Sequence, residues 1–266
     1  MITSSANQQM KHLSQLMKKA KERKKEQVFV VEGIKMFQEA PEDTVMSVYV
    51  SESFLEKPEH EKCLQGYRYE VVSDAVFREI SDTQTPQGIL AIVRMPKYDL
   101  PDLLQGDHTH LLILESVQDP GNLGTMVRTG EGAGITGIIM NKTTVDLFNP
   151  KTIRSTMGSI YRVPYLITEH LPDLLDELHK ENIRLYAAHL KGNTYYDAFD
   201  FTGACGFLIG NEGNGLSDEI AERADSYLKI PMEGKVESLN AAVSAALLMY
   251  ECKRQRKGSS YNENMV

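Results

Sequence analysis

Three glycine-bearing segments in the second half of the chain hold the residues with the most chemical potential. The first, Asp119-Pro120-Gly121-Asn122-Leu123-Gly124-Thr125-Met126-Val127-Arg128, follows the apolar run Leu111-Leu112-Ile113-Leu114. A turn and helix start placed there sit at the carboxyl edge of a strand, where open α/β sheets bind ligands. Asn122 at the helix entrance reads equally as an N-cap or as a polar group for substrate, and Arg128 as a solvated charge or a phosphate fork. The second segment, Gly210-Asn211-Glu212-Gly213-Asn214-Gly215-Leu216, follows Phe207-Leu208-Ile209. Its three glycines in six residues imply a backbone that bends sharply and lets something approach closely. Glu212 among them is either a carboxylate accepting polar hydrogens or a solvent-facing turn residue. In the third, Ile230-Pro231-Met232 leads to Ser238-Leu239-Asn240. Ser238 stands where an N-cap belongs, which leaves Asn240 in the first helical turn without a capping role.

Other chemistries are disfavoured by the same residues. A P-loop requires Lys after its second glycine, and Leu216 stands in that place. The run Gly130-Glu131-Gly132-Ala133-Gly134 falls at a helix end and lacks the spacing of a dinucleotide fingerprint. His108 and His110 form a lone His-x-His without carboxylate or thiolate support, so they read as structural and no metal is expected. Cys63, Cys205 and Cys252 are widely separated with no Cys-x-x-Cys, which argues against a disulfide framework and a thiolate metal site.

The elements that must position these residues alternate along the chain. Its 266 residues, 41% hydrophobic and 25% charged, suit one to two globular domains. No apolar run is long enough to cross a bilayer, and the start lacks a signal peptide's apolar stretch, so a soluble, cytoplasmic protein is expected. Residues 4–25 read as one amphipathic helix with its basic face outward. Strands at 28–31, 45–50, 68–72 and 89–93, with helix-like stretches near 33–40, 52–64 and 74–80, predict a small α/β domain over 1–94. Residues 95–108 read as a linker. Strands at 110–115, 136–140, 163–167, 183–188, 205–209 and 226–230 predict a mostly parallel sheet covered on both faces, within a domain over 109–256. A last helix over about 239–256 places Leu239, Ala242, Val243, Ala246, Leu247 and Tyr250 on one stripe, read as core packing. Residues 257–266 are expected to form a flexible tail.

Charge is distributed unevenly. The net charge is −8, yet residues 1–27 hold seven lysines and arginines against Glu22 and Glu26, a net of +5. That segment is either a solvated helix face or a phosphate-binding one.

Taken together and in this order, the three segments resemble the motifs of the SpoU (TrmH-like) RNA ribose 2′-O-methyltransferases of the SPOUT superfamily. The motifs correspond to Asn122 with Arg128, to Gly210-Asn211-Glu212-Gly213 with Gly215-Leu216, and to Ile230-Pro231-Met232 with Ser238-Leu239-Asn240. The match covers residues 108–255. The preceding half, with Phe29-Val30-Val31-Glu32-Gly33 and Thr85-Pro86-Gln87-Gly88-Ile89, resembles the family's L30e-like RNA-binding domain.

The resemblance implies an α/β fold with a deep trefoil knot in the C-terminal domain, an obligate homodimer and S-adenosylmethionine as methyl donor. Backbone around Gly210, Ile230 and Leu239 would hold the donor, with Asn211 and Met232 beside them. Asn122, Arg128, Glu212, Ser238 and Asn240 would gather at the catalytic site. Arg128 is assigned to the target phosphate and ribose, because its always-charged fork suits phosphate oxygens and its pKa above about 12 makes it a poor base. Asn122, Ser238 and Asn240 would hold loops and orient ribose, and Glu212 would fix the arginine or the loops. The base is a phosphate oxygen or an arginine whose proton neighbours draw off. The substrate implied is structured RNA, with ribosomal RNA favoured over transfer RNA. The alternative is an RNA-binding assembly factor that kept the fold without the chemistry.

Overall fold

The computed structural model of the chain describes residues 1–263, with side chains through Lys257. The chain forms two compact units, one of Met1–Lys97 with Asp146–Tyr161, the other of Tyr98–Val145 with the residues from Arg162 onward.

The first unit opens with helices α1 (Gln8–Lys18) and α2 (Ala20–Glu26). It continues through β1 (Val28–Glu32), α3 (Ile34–Gln38), β2 (Val45–Ser51), α4 (Glu52–Leu55), α5 (Pro58–Cys63), β3 (Tyr69–Val72), α6 (Asp74–Ile80) and β4 (Ile89–Arg94). The sheet order is β1-β4-β2-β3, with β4 antiparallel to both neighbours and β2 parallel to β3. Every residue of β1 is buried, which requires cover on both faces and explains its uninterrupted apolar run. Val28 and Val30 share a core with Leu13 and Leu16 of α1 and Phe77 of α6. Phe29 points the other way, its ring 4.9 Å from that of Phe148 and 6.2 Å from that of Tyr161.

The single helix expected over 4–25 is two helices, broken at Lys19, whose φ and ψ of −122° and 109° are extended. Arg23 supplies the reason. Its guanidinium donates to the carbonyls of Leu16 and Met17, the acceptors a continuous helix would have used, and pairs with Asp146. Arg23 is therefore buried, not on the outward basic face, while Lys11, Lys18, Lys19, Lys21, Lys24 and Lys25 are exposed. The stretch expected as one helix over 52–64 is likewise two, because the residue before Pro58 is steered out of helical conformation.

The second unit begins where a linker was expected. Residues 98–108 contain α7 (Leu100–Leu103), and Leu103 is fully buried against Gly137. Four residues are too few for a periodic signal, so the turn was invisible to pattern. There follow β5 (His110–Leu114), α8 (Pro120–Ala133) and β6 (Gly137–Asn141). The chain then enters the first unit as α9 (Pro150–Thr156), so the expected single boundary near residue 94 is not the only crossing. It continues in the second unit with β7 (Tyr165–Thr168), α10 (Leu171–Lys180), β8 (Arg184–Ala188), β9 (Thr194–Tyr195), β10 (Cys205–Ile209), α11 (Asp218–Ala221), β11 (Ser226–Lys229) and α12 (Ala241–Glu263). The two-residue β9 had no sequence signature.

The seven strands are all parallel, in the order β7-β6-β5-β10-β8-β11-β9. The chain builds outward from β5 through β6 to β7, then crosses to the other side of β5. Loops after β5 and β10 therefore leave adjacent strands at the topological switch point, where a crevice opens at the carboxyl edge.

Helix α12 starts two residues later than expected. The backbone of the anticipated tail is helical to Glu263, and its last three residues lie outside the described residues. Its core stripe also differs. Ala242, Ala245, Leu248, Met249 and Cys252 are buried, whereas Val243, Leu247 and Tyr250 face outward. Over residues 241–252 apolar side chains lie on nearly every side of the helix, so periodicity alone could not choose which side meets the sheet. Cys252 meets Cys205 of β10 as a pair of free thiols, Sγ atoms 3.8 Å apart. Among the described residues, no helix is long and apolar enough to cross a membrane.

Candidate active site

The loop after β10 closes on itself. Asn211 and Gly215 exchange both backbone hydrogen bonds, at 3.0 and 2.9 Å, and the Asn211 Oδ1 accepts the N–H groups of Gly213 and Asn214. A Cβ on Gly210 would stand 2.1 Å from the Gly215 carbonyl carbon, so only glycine permits this approach. The Asn211 Nδ2 donates across the switch point to the carbonyl of Ser116, at 2.9 Å.

Glu212 turns back toward the start of α8. Its carboxylate accepts from the backbone N–H groups of Gln118 and Asp119 and from the Asn122 Nδ2, each at 3.0 Å. The Asn122 Oδ1 in turn accepts from the Asn240 Nδ2 at 3.0 Å. The Asn240 Oδ1 accepts from the backbone of Ala242 and Val243, which caps α12. One chain of hydrogen bonds thus joins all three glycine-bearing segments.

Capping differs from the sequence reading at both helices. Asp119, not Asn122, caps α8, accepting the Asn122 N–H at 2.7 Å. At α12 the cap is Asn240, and Ser238 lies in the loop before it, because the helix begins at Ala241. The residue judged to have no capping role therefore has one, and its amide nitrogen remains free to reach Asn122.

A cavity of about 380 Å³ opens beside this chain, at the carboxyl ends of β8, β10 and β11. Of the residues singled out from sequence, Gly210, Asn211, Glu212, Ile230, Met232, Ser238 and Leu239 line it. Asn122 and Asn240 are reached through Glu212. Arg128 stands apart, exposed further along α8, with no hydrogen-bond or ion-pair partner recorded among the described residues. The sequence reading missed the wall formed by Ala188, His189, Leu190 and Lys191, at and beyond the end of β8. The signal for it was positional: β8 lies beside β10 in the parallel sheet, and the loop after it leaves the same carboxyl edge whatever its residue types. Burial, then the charge of Lys191, holds the His189 imidazole below its ordinary pKa against a smaller upward pull from Asp218. Among the described residues, no group of three His, Cys, Asp or Glu side chains is placed to hold a metal ion.

The fold and the site define an α/β protein with a glycine-lined cavity at the carboxyl edge of a parallel sheet. Residues 109–250 match the SpoU rRNA Methylase family, and residues 7–91 match the MRM3-like substrate binding domain. The chain belongs to the SpoU rRNA methylase family. It is 34% identical, over 95% of its length and 98% of the relative's, to the 23S rRNA (guanosine(2553)-2′-O)-methyltransferase RlmP of Bacillus subtilis. Among solved structures it resembles the SpoU methyltransferase AviRb of Streptomyces viridochromogenes in complex with the cofactor AdoMet, with a TM-score of 0.87 at 26% identity, covering 94% and 98% of the two chains. An AdoMet-bound rRNA methyltransferase from Sinorhizobium meliloti gives a TM-score of 0.83 at 29% identity, covering 95% and 97%.

Burial tends to raise the Glu212 pKa, but the hydrogen bonds from Gln118, Asp119 and Asn122 together bring it below its ordinary value. A carboxyl with a depressed folded pKa contributes stability fully above its unfolded pKa and loses it as pH falls through the folded value. The stability advantage of the wild type over Glu212→Gln is therefore expected to shrink in urea melts taken from about pH 7 to about pH 3. An advantage that persists unchanged in acid would show that the ionised carboxylate does not hold the loops.

Proposed function

We propose that the protein transfers the methyl group of S-adenosylmethionine to a ribose 2′-hydroxyl of ribosomal RNA, in the cytoplasm. The observation that carries this reading is the Glu212–Asn122–Asn240 chain, which joins the three family motifs beside one cavity. That cavity suits the donor. Its volume lies within the usual range for small-molecule pockets, its floor is glycine backbone, and Ile230, Met232 and Leu239 give it an apolar side for a base. The donor supplies an electrophilic sulfonium methyl group.

The protein's own task is alignment of two substrates. Gly210 and the loop it allows hold one wall of the cavity, and Asn122 and Asn240 fix the approach of α8 and α12. Arg128 takes the target phosphate and ribose, its guanidinium uncommitted to any partner among the described residues and its fork matched to phosphate oxygens. The substrate-binding unit and its six exposed lysines, on α1, on α2 and at the break between them, engage structured RNA through phosphate contacts and shape. The knotted path that the family resemblance implies belongs to the same reading.

A homodimer completes the assembly. Val243, Leu247 and Tyr250 of α12, 48%, 36% and 48% exposed, form with Thr125 of α8 an apolar surface that a second copy would cover.

Arg128→Ala is expected to abolish transfer of labelled methyl from S-adenosylmethionine to deproteinised ribosomal RNA while calorimetric donor binding stays near wild type. Wild-type turnover in that variant would remove Arg128 from the mechanism, and no transfer by the wild type would favour a binding factor. Charge reversal of Lys11, Lys18 and Lys21 to Glu should weaken RNA binding and flatten its salt dependence; unaltered binding refutes the footprint. Light scattering of the purified protein should report two copies, with a monomer overturning the dimer.

A further inference from the structure

We infer that Asn141, which belongs to none of the three motifs and does not line the cavity, is a positioning residue that sets donor affinity through Ser116 and Asn211. The proposal rests on the reading above, in which the cavity beside Asn211 receives S-adenosylmethionine.

Four residues other than glycine adopt the left-handed region among the described residues: Gln27, Ser116, Met157 and Asn182. Gln27 and Met157 are the C-caps of α2 and α9, and Asn182 follows the last turn of α10, where such conformations are routine. Ser116, with φ of 56°, ends no helix. It lies two residues past β5, at the switch point, so something other than a helix end imposes its conformation.

Asn141, the last residue of β6, grips it from both ends of one amide. The Asn141 Oδ1 accepts the Ser116 N–H at 2.9 Å, and its Nδ2 donates to the Ser116 Oγ at 3.2 Å. The amide is itself held, because the same Oδ1 accepts from the Thr144 N–H and hydroxyl at 3.2 and 2.9 Å. Thr143 completes the clamp through a 2.6 Å hydrogen bond between its hydroxyl and that of Ser116.

The left-handed turn has a directional consequence. The Ser116 carbonyl accepts from the Asn211 Nδ2 and from the Gln118 Nε2, both at 2.9 Å. Asn211 shapes the glycine loop by accepting the N–H groups of Gly213 and Asn214, and this loop walls the cavity. Asn141 thus acts two residues removed from the ligand. Released from it, Ser116 relaxes toward negative φ, its carbonyl swings away, and Asn211 loses the contact that anchors the loop.

The experiment measures donor affinity by calorimetry on the full chain with S-adenosylmethionine, alongside kcat at saturating donor and thermal melting. Asn141→Ala is expected to weaken donor binding about tenfold, the worth of one anchoring hydrogen bond, with kcat little changed. Adding Ser116→Gly to that variant should recover most of the affinity, because glycine enters the left-handed region without a side-chain penalty. A purely structural role for Asn141 predicts no such rescue. Should Asn141→Ala fail to fold, Ser116→Val is read in its place, since a β-branched residue resists φ of 56° while Asn141 remains, and the same loss of affinity is expected. Wild-type affinity in Asn141→Ala, or in Ser116→Val, overturns the proposal, as does a double variant that recovers its melting temperature without its affinity. A wild-type protein that takes up no donor overturns instead the methyl-transfer reading on which the proposal stands.

Discussion

A single ionised carboxylate governs how the three functional loops meet. Glu212 accepts two backbone N–H groups at the approach to α8, where the helix start leaves donors unpaired and its dipole favours negative charge. These donors are a consequence of the turn from β5 into α8, so satisfying them and satisfying the carboxylate are one event. Its third donor, Asn122, passes the constraint on to Asn240, and Asn240 passes it to the first turn of α12. Every link is a neutral or charge-assisted hydrogen bond of ordinary length. Their value lies in connectivity, because each member fixes the next.

Sheet topology makes such a chain feasible. Strands β5 and β10 are neighbours, yet the chain leaves β5 toward one edge of the sheet and reaches β10 after building part of the other. Their loops must diverge, and a crevice results. Three straps span it: Glu212 to the start of α8, Asn211 to the Ser116 carbonyl, and Glu115, which accepts the backbone and hydroxyl of Ser217. A cavity walled by backbone and braced from behind by side chains is suited to a ligand recognised mainly by shape.

In the first unit, charges of one sign serve opposite purposes. Arg23 is buried, its guanidinium divided between two carbonyls and Asp146, and removing one partner of such a pair costs about 3–5 kcal/mol because the other charge is left uncompensated. The six lysines around it stay in water and keep their charge available. Planarity and several fixed donors let arginine fill the internal position, where a lysine's compact ammonium would leave carbonyls unmatched.

Much was determined by the sequence alone. Apolar runs such as 205–209 and 110–114 define strands because both faces of a parallel sheet must be buried, and the glycine-rich segments after them mark the carboxyl edge. The residue types at Asn122, Glu212 and Asn240 carried the family motifs. Only the tertiary structure decided what those residues touch. Asn240 and Asn122 are 118 positions apart, and local spacing says nothing about partners at that separation, so the capping roles were misplaced onto Ser238 and left open at Asn122. The burial of Arg23 was illegible for the same reason, since its partner Asp146 lies 123 residues away. So was the face of α12 that meets the sheet, because its first half, apolar on nearly every side, has no preferred face until a neighbour takes one. Local pattern encodes which backbone a segment prefers; long-range contacts settle which polar atoms meet, and in this protein those meetings make the site.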